Sequence, residues 1–292
     1  MSLDRTNAAS IQIGLAGWGD HDAIYAAGTK SSDKLKSYAD HFSIVELDSS
    51  FYAIPSVERM QSWIGQTPSH FSFIVKAYQG MTGHSRGKIP FADSRTMFNV
   101  FRESVETLQQ AGKLKAALFQ YPPWFDCSRK HVDVLRRTRT WMEGIPVALE
   151  FRHQSWFRAD MHDKTLAFME QEGWIHSICD EPQAGEGSVP MILHPTEPSL
   201  TMIRMHGRNV SGWNASGQPN WREVRYLYDY NEAELEQWSG YLRALTQQTA
   251  EVCMIFNNNS GGHAAGNAKQ LMSMLGQPVT PMPMQQMTIF DE

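Results

Sequence analysis

Acidic, basic and amide side chains recur in this chain where short apolar runs end. Glu46 and Asp48 close one run (SIVELDSS), Lys76 another (FSFIVKA) and Gln120 a third (KAALFQYPP). Glu150 and Arg152 follow in PVALEFRH, Arg204 and His206 in SLTMIRMHG, and Asn257 in EVCMIFNNN. Two carboxylates held beside Lys and Arg can have their proton affinities pushed apart, which supplies an acid and a base in one pocket. Glu46 and Glu150 are therefore candidate acid and base. Lys76 and Arg152 can hold developing negative charge, and His206 can shuttle a proton near neutral pH.

Something must bring these residues together. Eight apolar runs begin at Ile11, Ser43, Phe71, Lys115, Pro146, Trp174, Ser199 and Glu251, and helix-like stretches separate most of them. Phe98, Phe101, Val105 and Leu108 form one apolar stripe, and Leu235, Trp238, Leu242 and Leu245 another, the latter opened by a capping pattern at Asn231 and Glu234. Further helices are expected after Pro55, Ser128, Asp160 and His263. Alternating strands and helices of this length predict an α/β fold, a TIM-barrel-like (β/α)8 barrel, whose strand C-termini open onto one shared face. Residues two apart on a strand point the same way, so Glu46 pairs in parity with Asp48, Glu150 with Arg152, and Arg204 with His206. An outward charge would meet the surrounding helices and cost several kcal/mol, so the mouth is where they belong. Between the sixth and seventh strands, DEPQAGEGSVPMILHPTEPS carries four prolines and two glycines, so the barrel is expected to be irregular around its sixth helix. Residues 1–275 read as a single barrel domain, and 276–292 as an extended Pro/Met-rich tail.

Loops after strands seven and eight are the usual phosphate locus of such barrels. Arg204 and Arg208, with Asn257, Asn258, Gly261 and Gly262 before a helix, suit that role; a plain Gly-Gly turn is the other reading. Trp18, Tyr52 and Trp156, with Phe51, Tyr121, Trp124, Phe157, Trp213 and Trp221, crowd the expected rim, where rings either stack on a ligand or pack the barrel end. Glu46 with Lys76, and Glu150 with Arg152, can alternatively be buried structural pairs. His153 has the parity to orient a loop, and His176 reads as core. The basic run Arg129, Lys130, Arg136, Arg137, Arg139 is expected on an outer helix face.

A formal net charge of −5 argues against nucleic-acid binding by bulk attraction. Three scattered cysteines without ligand spacing indicate a reduced compartment. The N-terminus lacks a signal-peptide core and no run reaches membrane-spanning length, so a cytoplasmic protein with no membrane partner is expected.

The segments in order resemble the domain of unknown function 72 (YecE-like) family. The matching pieces are Gly17-Trp18, Val45 to Tyr52, Phe73 to Ala77 with His84 beyond, Phe119 to Pro123, Glu150 to Trp156, Arg204 to Gly207, and Phe256 to Asn258 with Gly262 and Asn267. The resemblance implies a TIM-barrel-like fold, similar to the barrels of endonuclease IV and xylose isomerase-type enzymes, and adds His84 to the candidate ligand-binding residues. It implies no reaction. Where the family pattern has His after the paired asparagines, Asn259 stands here and His263 comes four residues later.

In the tail, Gln286 to Phe290 resembles the pentapeptide by which bacterial replication and repair proteins bind the sliding clamp, and a docked terminus is the other reading.

Three functions follow as expectations. The first is a hydrolase-like enzyme on a phosphate-bearing substrate, a nucleotide or nucleic acid. Its cofactors are left open, and a metal-assisted form would draw a divalent ion from Glu46, Asp48, Glu150, Asp180 and His206. The second is a carbohydrate-active enzyme using the aromatic rim and the same carboxylates. The third is a non-catalytic ligand-binding or clamp-associated protein.

Overall fold

The computed structural model describes residues 10–85, 87–214, 219 and 221–283. Eight strands, β1 (Ser10–Ala16), β2 (Ile44–Leu47), β3 (Ser72–Lys76), β4 (Leu114–Gln120), β5 (Val147–Glu150), β6 (Ile175–Asp180), β7 (Thr201–Met205) and β8 (Glu251–Phe256), run parallel in sequence order. β8 pairs with β1, so the sheet closes into the expected barrel.

Strand alternation separates two cores. Ile44, Ile74, Leu118, Ala148, Ile175, Met202 and Ile255 fill the lumen, while Val45, Phe73, Val75, Phe119, Leu149, Ile203 and Met254 pack outward against helices. Gly14 marks the tightest approach: a Cβ there would stand 2.0 Å from the Ile44 carbonyl oxygen. Only glycine lets β1 and β2 come so near.

The outer layer comprises α1 (Lys34–Ala39), α2 (Val57–Gln66), α3 (Ser94–Gln110), α4 (Arg129–Trp141), α5 (His162–Glu172), α8 (Glu232–Leu245) and α9 (His263–Met274), while the short α6 (Val210–Asn214) and α7 (Trp221–Arg225) lie at the barrel mouth. The stripes on α3 and α8 are buried as their periodicity requires, and Asn231 and Glu234 form a reciprocal capping box on α8. The basic α4 lies outside the barrel, where Arg136 pairs with Glu172 at 3.0 Å and Arg137 covers Trp141.

No helix joins β6 to β7. Prolines deny the segment a helical hydrogen-bond ladder, and side chains take over its polar accounting. Thr196 donates to Trp174 O at 2.6 Å and accepts from His176 N at 2.9 Å; Gln183 donates to Val189 O at 2.9 Å. Between β7 and β8 the chain instead carries α6, α7 and α8.

The described start of the tail lies on the barrel. Gln277 donates to Ile11 O at 2.9 Å and Thr280 to Asp40 O at 2.7 Å. The clamp-like Gln286 to Phe290 lies outside the described residues. No helix among those described is long and apolar enough to cross a membrane.

Candidate active site at the barrel mouth

The inward positions at the strand ends meet as one chain of alternating charge. Arg204 from β7 forks onto Glu46 from β2, with Nη2 to Oε1 at 2.6 Å and Nε to Oε2 at 2.8 Å. Its Nη1 reaches Glu150 Oε2 at 2.8 Å and Gln120 Oε1 at 3.3 Å. Arg152 then grips Glu150 at 2.6 Å through Nε, Glu181 at 2.7 Å through Nη1, and His206 Nε2 at 2.8 Å through Nη2. Val189 N–H holds the second Glu181 oxygen at 2.6 Å. The Glu46, Glu150, Arg152, Glu181, Arg204 and His206 side chains are essentially without solvent exposure, while Gln120 is partly buried.

Burial in such a network decides protonation. Burial pushes the Glu150 carboxyl up, but Arg152 and Arg204 outweigh it and hold it well below the usual range. For Glu46 burial prevails over Arg204 and Lys76, and the carboxyl is raised. Burial also prevails at Glu181, raising it to about 7 against the pull of Arg152. His206 is held well below its ordinary value by burial and by both guanidinium groups. It is therefore neutral near pH 7, which corrects its expected role as a proton shuttle there. Because Nε2 faces an obligate donor, the ring proton sits on Nδ1 and faces the Asn257 amide at 2.9 Å. The structure places the amide nitrogen there, and the Nδ1 proton is accepted once that amide is turned over to present its oxygen.

Above this sealed layer opens a cleft of about 760 Å3. Its floor carries Lys76, Asp48, Gln120, Arg152 and Asn257. Lys76 Nζ lies 2.7 Å from Asp48 Oδ1, and the two side chains are 12% and 40% exposed. Burial works against ionisation of Asp48, but Lys76 more than offsets it, and the carboxyl is lowered. One wall is a run of rings: Tyr52 to Phe51 at 5.3 Å, Phe51 to His84 at 5.1 Å, His84 to Trp124 at 6.0 Å. Burial, Lys76 and Arg152 keep His84 neutral by pushing it to about 4. Trp213, Trp221, Arg225 and Tyr226 form the other wall.

Several expected site residues stand elsewhere. Glu46, Glu150, Arg204 and His206 converge but lie behind the cleft floor, so the first two are not a solvent-facing acid and base. The anticipated Glu46–Lys76 pair is replaced by Glu46–Arg204 and Lys76–Asp48. Trp156 is core, not rim: it stacks on Phe151 at 4.1 Å and donates to Phe125 O at 2.7 Å. Tyr121 and Phe157 are buried with it. Trp18 packs edge-on against Trp63 at 5.3 Å and does not line the cleft. Arg208 is taken up by Asp180 at 2.7 Å and Glu234 at 3.0 Å. Asn258 is buried, donating to Asn267 Oδ1 at 2.8 Å and Tyr228 O at 2.9 Å. Gly261 and Gly262 both take positive φ in a turn, and a Cβ on Gly261 would strike Leu227 and His263. Their glycine requirement is conformational. His263 faces Asp229 at 3.5 Å, away from the cleft.

The expected metal set does not assemble, because Asp180 has outward parity and accepts from Trp238 Nε1 at 2.6 Å. Glu150, Cys179 and His206 do bring ligand atoms within 4.8 Å of one another. Their donor set does not fit a cation. Both Glu150 oxygens and His206 Nε2 already accept from guanidinium groups, and burial with Glu150 keeps the Cys179 thiol protonated.

Three site residues escaped the sequence reading. Glu181 continues the inward parity of Ser177 and Cys179, a usable signal that was spent on Asp180. Arg225 and Tyr226 come from the long β7–α8 connection, where no periodicity points to them.

Fold and site together define a (β/α)8 barrel protein with a cleft at the carboxyl ends of its strands, the face on which barrels of this kind bind and react. The chain belongs to the family described as protein of unknown function DUF72, which matches residues 12–288. It is 52% identical over 281 residues to UPF0759 protein YunF of Bacillus subtilis (strain 168), covering 96% of this chain and 100% of that one. The crystal structure of a DUF72 family protein from Enterococcus faecalis V583 superposes with a TM-score of 0.87 at 34% identity, covering 95% of this chain and 100% of that one. A DUF72 family protein from Thermotoga maritima MSB8 gives 0.78 at 30% identity, covering 92% and 100%.

Proposed function

We propose that the chain is a hydrolase-like enzyme acting on a small phosphate-bearing molecule, with Lys76 and Asp48 as the reacting pair. One observation carries this reading: the Lys76–Asp48 pair opens onto the cleft, whereas Glu46, Glu150 and Glu181 are sealed beneath it. Asp48, lowered by Lys76, is a carboxylate at neutral pH and can take a proton from water or a substrate hydroxyl. The Lys76 ammonium faces the same space and can stabilise an oxyanion as it forms. Arg152 adds a fixed guanidinium, immobilised by Glu150 and Glu181 so that no reorganisation is needed during reaction. A cleft of about 760 Å3 suits a nucleotide-sized ligand, and its aromatic walls suit a ring.

Tyr52 and Trp124, both more than half exposed, favour a second reading in which a sugar ring stacks at the mouth. In that case Asp48, and not the Glu46–Glu150 pair, supplies the working carboxylate.

The test is a turnover screen of phosphomonoesters, phosphodiesters and glycosides with Asp48→Asn and Lys76→Met. A loss of about 10²–10⁴ in kcat is expected in each. Undiminished turnover in both variants would remove the pair from the chemistry, and activity confined to glycosides would select the second reading.

A further inference from the structure

Among the described residues, four cations near the mouth each hold a carboxylate. Lys76 holds Asp48 at 2.7 Å, Arg152 holds Glu150 at 2.6 Å, Arg204 holds Glu46 at 2.6 Å and Arg208 holds Asp180 at 2.7 Å. Arg225 has no carboxylate at ion-pair distance among the described residues. Its guanidinium carbon lies instead 4.1 Å from the ring centre of Trp213, 4.7 Å from Trp221 and 5.3 Å from Tyr226. Its Nε is buried without an acceptor, and so is the Trp221 indole N–H in the same cage. Glu181, a carboxylate whose charge it feels, already accepts from Arg152 and Val189 N–H.

A guanidinium partly withdrawn from water, its Nε buried without an acceptor and its plane laid against ring faces, is incompletely satisfied. Aromatic faces offer part of the compensation, and unmade hydrogen bonds to a buried charged group are expensive. The cage also fixes the guanidinium plane, which prepares it for a planar, two-bond contact with an oxyanion. Arg225 lines the cleft, and Arg152 shares the Trp213 ring at 5.2 Å.

We propose that Arg225 seats a non-reacting anionic group of the substrate, a phosphate or carboxylate handle, on the wall formed by Trp213 and Tyr226, while the bond that reacts lies at Lys76 and Asp48. This rests on the reading of the cleft as an active site and narrows its substrate class to molecules whose anionic end is separate from their reacting bond. Binding energy from such a handle positions the remainder of the substrate.

The experiment titrates the full-length protein with inorganic phosphate and follows intrinsic tryptophan fluorescence, with Trp213→Phe to assign the signal. A saturable response is expected in the wild type, and Arg225→Met should weaken it by about tenfold or more through loss of a charge-assisted fork. Arg225→Lys should recover part of the affinity, since charge is kept and the fork lost. Arg225→Gln makes the same comparison should the methionine variant fail to fold. Lys76→Met should lose turnover yet bind phosphate within about twofold of wild type. Equal phosphate affinity in wild type and the uncharged Arg225 variants would overturn the proposal, as would no saturable response in the wild type. Affinity lost in Lys76→Met but kept in Arg225→Met would move the anion to Lys76. None of these results touches the acid–base assignment of Lys76 and Asp48, which the turnover screen decides separately.

Discussion

Arg204 and Glu46 stand 158 residues apart in sequence and meet through a two-bond fork of 2.6 and 2.8 Å, neither side chain exposed. The fork ties β7 to β2 across the barrel, and the same guanidinium ties both to Glu150 on β5. Replacing a buried partner leaves its counter-charges stranded, a larger effect than the net worth of the pair. Arg204→Met is expected to lower unfolding free energy by about 3–5 kcal/mol in urea denaturation. A loss below about 1 kcal/mol, the size of a surface pair, would mean that the network does not brace the barrel.

Glu181 gives the stability a specific pH dependence. Its carboxyl titrates near 4.5 when unfolded and about 7 when folded. Between those values the folded state binds more protons, so this group makes the protein less stable as pH rises through the window. The full penalty is present above about 7, and none remains below 4.5. Glu181→Gln removes the titration, so the variant should gain on wild type as pH increases across that window. Denaturation at several pH values would show it; a difference that does not change with pH would remove Glu181 as its source.

Gly14→Ala tests the packing of β1 on β2. The added methyl would overlap the Ile44 carbonyl, which is backbone and cannot rotate away. A loss of about 1–3 kcal/mol is expected, the usual range for overpacking. Wild-type stability would show that the two strands separate freely.

Trp156 and Trp124 should divide stability from binding. Trp156→Ala removes a buried ring and its hydrogen bond to Phe125 O, with an expected loss of about 3–5 kcal/mol. Trp124→Ala, at a ring 51% exposed on the cleft wall, should leave the melting temperature nearly unchanged and weaken ligand binding. The reverse pattern in calorimetry and binding assays would return Trp156 to the rim.

Alternation along each strand makes the inward set readable in the sequence: Glu46, Lys76, Gln120, Glu150, Arg152, Arg204, His206 and Asn257 all point where parity directs them. The same rule, applied one residue further along β6, leads to Glu181 and away from Asp180. Proline density likewise announced the missing sixth helix, because a chain without consecutive N–H donors cannot build one.

Depth is a different matter. Lys76 and Glu46 both close apolar runs in the sequence, yet Glu46 registers with Ile74, two residues below Lys76, and one meets solvent while the other does not. Whether a strand-end charge faces a ligand or a counter-charge depends on which side chains reach across the barrel axis, and Arg204 reaches Glu46 before solvent can. Arg225 reaches the cleft only because the β7–α8 connection folds back over the mouth. The chain alone determined the barrel, its open face and the residues directed toward it, since these follow from local periodicity. Only the tertiary structure decided which charges neutralise one another and which are left for a ligand, because that choice is made between groups far apart along the chain.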